Sequence, residues 1–181
     1  ADEVIELPDL TLLPGLMDAH IHLPIVSPTE ALQQTLAFGV TTAVVMWAYP
    51  PLQSRVKEFN ATDPPDMAAV HSAGLGATVP GGYPTQMDGT LARLISTLTA
   101  PGDADAFVAA RLAEGSHFIK IIYDDIERYG QKLPTLDEAT VAASIRARAG
   151  AQGTRPPCPR SARGRVRWAP RHARCDSAPS S

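Results

Sequence analysis

Leu16-Met17-Asp18-Ala19-His20-Ile21-His22-Leu23 is the stretch around which the chain is best read. Side chains on a strand alternate between faces, so there His20 and His22 point one way while Ala19 and Ile21 point the other. Two neutral imidazoles side by side at a strand end can hold one divalent metal, and imidazole suits zinc, iron or nickel better than calcium or magnesium. The spacing alone decides little, because histidine pairs also occur on surfaces with no metal role. Asp18 falls on the same inward face. It reads either as a carboxylate that orients an imidazole from behind or as a polar residue closing a strand end.

Upstream, Val4 to Leu7 reads as a short strand, followed by a turn at Pro8-Asp9 and a second apolar run from Leu10 to Leu13. Strands need partners and nothing ahead supplies any, so the chain reads as truncated at its start. Downstream, Ser27-Pro28-Thr29-Glu30 is a capping box with proline at the first helical position, predicting a helix from Pro28 to about Phe38. Leu32, Thr35 and Leu36 share a face, and Gly39 is placed to end it. Val40 to Trp47 is β-branched and nearly continuously apolar, the pattern of a strand covered on both faces. Strand, helix and strand make a βαβ unit.

The stretch from Ala48 to Gly102 is less explicit. It predicts a short helix over Leu52 to Phe59, a third strand over Met67 to Ala73 carrying His71, and a long loop over Gly74 to Gly89. Such a loop either shapes a substrate mouth or is passive surface. His71 reads as a hydrogen-bonded core residue or as a supporting group at a site.

Asp103 or Asp105 can cap a helix with an apolar face of Phe107, Val108, Leu112 and the Arg111 stem, closed by Gly115. His117-Phe118-Ile119-Lys120-Ile121-Ile122 then reads as a fourth strand. A lysine in such a strand needs an explanation, because a buried ammonium is costly unless paired or neutralised. Either Lys120 snorkels to an edge, or desolvation lowers its pKa until the neutral amine reacts with carbon dioxide. The resulting carbamate is an anionic ligand with two oxygens. Asp124 and Asp125 come next, and either meet substrate or turn the chain. Thr135-Leu136-Asp137-Glu138 is a second capping box, opening a helix through Val141 and Ile145 toward Arg148.

Gly150 to Ser181 is dominated by Arg, Pro, Ala, Ser and Gly without periodicity, which predicts a poorly packed or disordered tail, or an out-of-frame one. At 181 residues and 44% hydrophobic content the remainder can bury a real core. A net charge of -3 argues against any general affinity for nucleic acid or anionic membrane. Both cysteines, Cys158 and Cys175, fall in the tail, so no disulfide framework is implied. Neither a membrane span nor a leader is visible; localisation is left open, with the cytoplasm favoured.

The run from Val4 to His22 resembles the lead into the barrel of the amidohydrolase superfamily of metal-dependent hydrolases, in its imidazolonepropionase-related and prolidase-like branch. Phe118-Ile119-Lys120-Ile121 resembles the strand of that barrel that carries a carbamylated lysine. The interval of about 100 residues between His20 and Lys120 is close to three βα units of an eight-unit barrel of about 250 residues. The resemblance implies an α/β fold: a partial TIM-type (β/α)8 barrel covering about the first four βα units. Residues 1–13 would be the remnant of a β-sandwich, 14–149 the barrel half and 150–181 the tail.

The resemblance also implies His20, His22 and Lys120 as metal ligands, with Asp18, His71 and Asp124 as supporting or substrate-facing candidates. Zinc is the implied cofactor, one or two divalent metals in the family and at most one here. A small amide or peptide-like substrate would lose its C–N bond to a metal-activated hydroxide. The family's later histidines and its proton-handling aspartate have no counterparts, since the similar stretch stops near Arg146. The expectation is therefore an incomplete, inactive copy of such a hydrolase. The alternatives are a non-catalytic metal-binding half-barrel, self-associating through exposed sheet edges, and a product that hardly folds.

Overall fold

Pro28 starts the first helix as its sequence context predicts, because proline lacks only an amide hydrogen that no helical carbonyl would have accepted there. In the computed structural model, which describes residues 6, 8, 10, 11, 13–87, 89 and 91–151, this helix, α1, spans Pro28–Ala37. It ends at Gly39, whose φ of +85° is open to a residue without Cβ. On either side lie β1 (Leu16–Ile21) and β2 (Val40–Val45). Then come α2 (Pro50–Thr62), β3 (Ala69–Ser72), α3 (Ala104–Ala113) and α4 (Glu138–Gly150). The three strands form one parallel sheet in the order β1-β2-β3, with Asp18 opposite Ala43 and Ala43 opposite Val70.

Parallel strands require crossovers, and α1 and α2 provide them while covering one face of the sheet. Leu32 from α1, Val56 and Phe59 from α2, Ala43 and Val45 from β2 and Val70 from β3 close one core. Leu32 and Val56 are fully buried, each stabilising the fold by about 1.5–3 kcal/mol relative to exposure. A second core joins Ala77, Leu98 and Leu136 to Phe107 and Val108 of α3, with Val141 of α4 packed against it.

The structure amends several expectations. Ser27 makes no side-chain cap bond, so the first capping box does not form. In the second, the cap is Asp137 and not Thr135: its carboxylate accepts the Thr140 amide hydrogen at 2.6 Å. An Asp two positions nearer the helix reaches the free amides that Thr135 was expected to meet. The helix expected over Leu52 to Phe59 begins at Pro50 and runs to Thr62. β2 is buried at Ala43 and Val45 but only half-buried at Val44, so one face of the sheet is covered and the other is open. Phe38 is 76% exposed.

The expected loop over Gly74 to Gly89 starts with the most continuously buried backbone of the described chain. Residues 72–78 are all buried, Ala77 bridges Ile121 and Thr78 bridges Thr97, both in parallel. Gly74 and Gly76 read as chain breakers, yet they serve close packing. Conversely, the expected strand from His117 is irregular: the His117 amide donates to the Ser72 carbonyl at 2.8 Å, and around the Ala77 bridge the Ala77 amide donates to the Lys120 carbonyl at 2.8 Å and the Ile122 amide to the Ala77 carbonyl at 2.9 Å. The observed architecture is thus a mixed α/β fold with a small parallel sheet and helices in alternation. The strand expected over Val4 to Leu7, the sandwich remnant apart from a few residues, and the tail from residue 152 lie outside the described residues. Among the described residues, no helix is long and apolar enough to cross a membrane.

Candidate metal centre

His20 is in β1 and His22 is one residue past its end. Ile21 between them packs on the core shared with α1 and α2, so alternation turns both histidines to the open face of the sheet. Their ring centroids are 5.4 Å apart, tilted by 46°, and both residues are exposed. Partial burial, then the neighbouring His20, then the charge of Lys120 hold the His22 pKa below its ordinary value. That favours the neutral imidazole, the form that coordinates metals.

Lys120 comes from the far side of the sheet. Ile119 and Ile121 pack on the second core, which leaves Lys120 on the opposite face. It is half-buried, not enclosed as its apolar neighbours suggest, because the open face lacks a covering layer. Its stem passes Gly76: a Cβ on that glycine would lie 3.1 Å from Lys120 Cγ and 2.9 Å from Trp47 Cζ3. The structure thus pairs His20 with His22, and the Lys120 charge is one of the influences on His22. Among the described residues no three His, Cys, Asp or Glu side chains form a group that could hold a metal.

The supporting candidates are placed elsewhere. Asp18 Oδ1 accepts the backbone amide of His20 at 3.1 Å, bracing β1 beside the histidine pair. Asp124 closes a turn: Oδ1 accepts the Ile126 amide at 2.9 Å and Oδ2 accepts from Arg128 at 2.8 Å. His71 stands opposite Val44 in the sheet, and its ring meets His117 edge-on at 4.7 Å. Burial lowers its pKa.

His117 was not singled out by sequence reasoning, yet it is the most perturbed histidine among the described residues. Burial and then nearby His71 push its pKa down to about 4. The Ser72 amide donates to its Nδ1 at 3.3 Å, which requires that nitrogen to be unprotonated. The Asn60 side-chain amide lies 3.5 Å from its Nε2. Its only sequence signal is a histidine directly after the Gly115-Ser116 helix stop, which says nothing of a partner 45 residues away. A groove of about 690 Å³ lies between α3 and α4, lined by Asp105, Val108, Arg146 and Ala147 among others. It shares no residue with the histidine pair.

No family model and no curated protein matches the chain. Solved structures do. A Xaa-Pro dipeptidase with methionine bound in its active site superposes with a TM-score of 0.60 at 17% identity, over 81% of this chain and 45% of that one. An amidohydrolase gives 0.57 at 17% identity, over 84% and 46%. A prolidase complexed with N-methylphosphonate-L-proline gives 0.58 at 15% identity, over 83% and 46%. The chain spans somewhat less than half the length of these structures. At these identities the likeness is one of fold, and over the part that it spans this chain has the fold shared by a Xaa-Pro dipeptidase, an amidohydrolase and a prolidase.

Proposed function

We propose that this chain carries part of the metal centre of a metal-dependent amidohydrolase acting on a C–N bond of a small peptide-like substrate. The observation that supports this most is the neighbourhood itself: two imidazoles 5.4 Å apart at the end of β1, with the charge of Lys120 acting on His22. The donor set fits zinc. Two neutral imidazoles are among its preferred ligands, and catalytic zinc sites keep three protein ligands and one open position. His20 and His22 would hold the ion, and Lys120 would join them as a carbamate, its neutral amine nitrogen bonding to the carbon of carbon dioxide and losing a proton. Zinc, when bound, supplies Lewis acidity toward a carbonyl oxygen and makes water nucleophilic at neutral pH.

The chain's own residues limit how far that chemistry can go. The sequence holds five histidines. His71 and His117 pack against each other, and His172 sits in Pro170-Arg171-His172-Ala173, which resembles no ligand strand. The 181-residue polypeptide by itself therefore supplies ligands for one metal. Asp18 accepts a backbone amide, and Asp124 accepts a backbone amide and pairs with Arg128. General acid–base assistance is typically worth about 10²–10⁴ in rate, so turnover without it is expected to be slower by about that factor.

Zinc titration of the purified chain tests the reading. One zinc per chain is expected, lost in the His20→Ala and His22→Ala variants, with no turnover of acylated dipeptides above that of those variants. A chain that takes up no zinc, or binds it equally with both histidines replaced, would remove the metal centre.

A further inference from the structure

Among the described residues, the Lys120 side chain has neither a hydrogen-bond partner nor a salt bridge to direct it; what surrounds it is shape. The backbone on both sides of Gly76 is tied to the lysine segment, the Ala77 amide donating to the Lys120 carbonyl at 2.8 Å and the Ile122 amide to the Ala77 carbonyl at 2.9 Å. With the two backbones held in contact, the space above Gly76 must take whatever the lysine segment presents. A Cβ there would stand 2.9 Å from Trp47 Cζ3, 3.1 Å from Lys120 Cγ and 3.4 Å from Ile122 Cγ1. The first distance is shorter than real Cβ contacts and the second tighter than most. Trp47 is itself set by Tyr49, whose ring meets it edge-on at 6.0 Å.

We propose that Gly76 and Trp47 are positioning residues for Lys120. The missing Cβ of Gly76 opens a slot, the Trp47 indole forms one wall of it, and the lysine stem lies in the slot. An alanine methyl there would press on both the Trp47 ring and the lysine stem. The stem would then shift by several tenths of an ångström at Cγ, and by more at Nζ, three bonds further out. Ligand geometry tolerates little of this, and groups that orient a ligand are typically worth about 10–100-fold in metal affinity. The inference rests on the metal centre proposed above.

The test is a double-mutant cycle read by zinc affinity, using a competing chromophoric chelator on the intact chain. Gly76→Ala should weaken zinc binding by about 10–100-fold, and the same substitution in a Lys120→Ala background should change it by less than about twofold. Gly102→Ala is the control, since a Cβ there meets nothing within 4 Å. Trp47→Leu removes the wall without adding bulk, and should weaken zinc binding about tenfold with the far-ultraviolet dichroism unchanged; it carries the test if Gly76→Ala fails to fold. Equal losses from Gly76→Ala in both backgrounds would show a structural role only and overturn the inference. So would wild-type affinity in both Gly76→Ala and Trp47→Leu. A wild-type chain that binds no zinc overturns the metal centre and this inference with it, whereas zinc binding insensitive to Gly76 and Trp47 overturns the inference alone.

Discussion

Protonation of His117 would break the Ser72 amide bond to Nδ1 and place a charge 4.7 Å from the His71 ring. Its folded pKa of about 4 lies below the ordinary 6.5, so the unfolded chain binds the proton first as pH falls. Stability from this group is complete above pH 6.5, declines as pH drops through the interval from 6.5 to about 4, and changes no further below it. His22 and His71, both lowered, act in the same sense. The thermal midpoint should therefore fall across that interval, and His117→Gln should make the slope shallower. An unchanged slope would show that the histidine pair is not buried in solution. A second expectation for a single side chain concerns Ser116, fully buried with its hydroxyl unpartnered. Ser116→Ala removes an unsatisfied polar group whose desolvation costs about 1–3 kcal/mol. Urea unfolding should show stability unchanged or raised; a clear loss would mean that the hydroxyl has a partner in solution.

Among the secondary-structure elements, two helix starts that look alike in sequence differ in what holds them. The Asp137 carboxylate accepts a hydrogen bond from the Thr140 amide, and the bonds from Thr140 hold its carboxyl below the usual range. Ser27 makes no such bond, and α1 relies on Pro28 and on the burial of Leu32. Asp137→Ala should cost about 1 kcal/mol, in the range of roughly 0.5–2 kcal/mol for lost caps, while Ser27→Ala should cost little. Chemical denaturation of the two variants side by side measures this, and equal losses would contradict it. The end of α3 shows a different division of labour. Arg111 is 4% exposed and pairs with Glu114, while its stem completes the apolar face read from the periodicity.

Among the described residues taken together, the consequential feature is an open sheet. β1 is an outer strand of the described sheet, and Leu16 and Met17 on it are 62% and 64% exposed. An edge with exposed apolar side chains is a template for pairing with another chain. We expect concentration-dependent self-association by sedimentation velocity, and Met17→Lys should weaken it by about tenfold, ~1.4 kcal/mol. Monomer throughout, at micromolar to near-millimolar chain, would count against it.

What depends on near neighbours along the chain was legible before any fold was known. Alternation put His20 and His22 on one face, Pro28 and Gly39 bounded α1, and the β-branched run from Val40 became a parallel strand, because each of these is a property of a few consecutive residues. Other features were settled only when distant segments came together. That the loop beginning at Gly74 and Gly76 is buried, that His71 meets His117, and that the Lys120 charge reaches His22 all depend on which segments pack against each other. The capping box read from Thr135 pointed to the right stretch, but the cap itself is Asp137, whose carboxylate takes the Thr140 amide. Contacts between residues dozens of positions apart depend on how the chain folds back on itself, and no local pattern of side chains encodes that path.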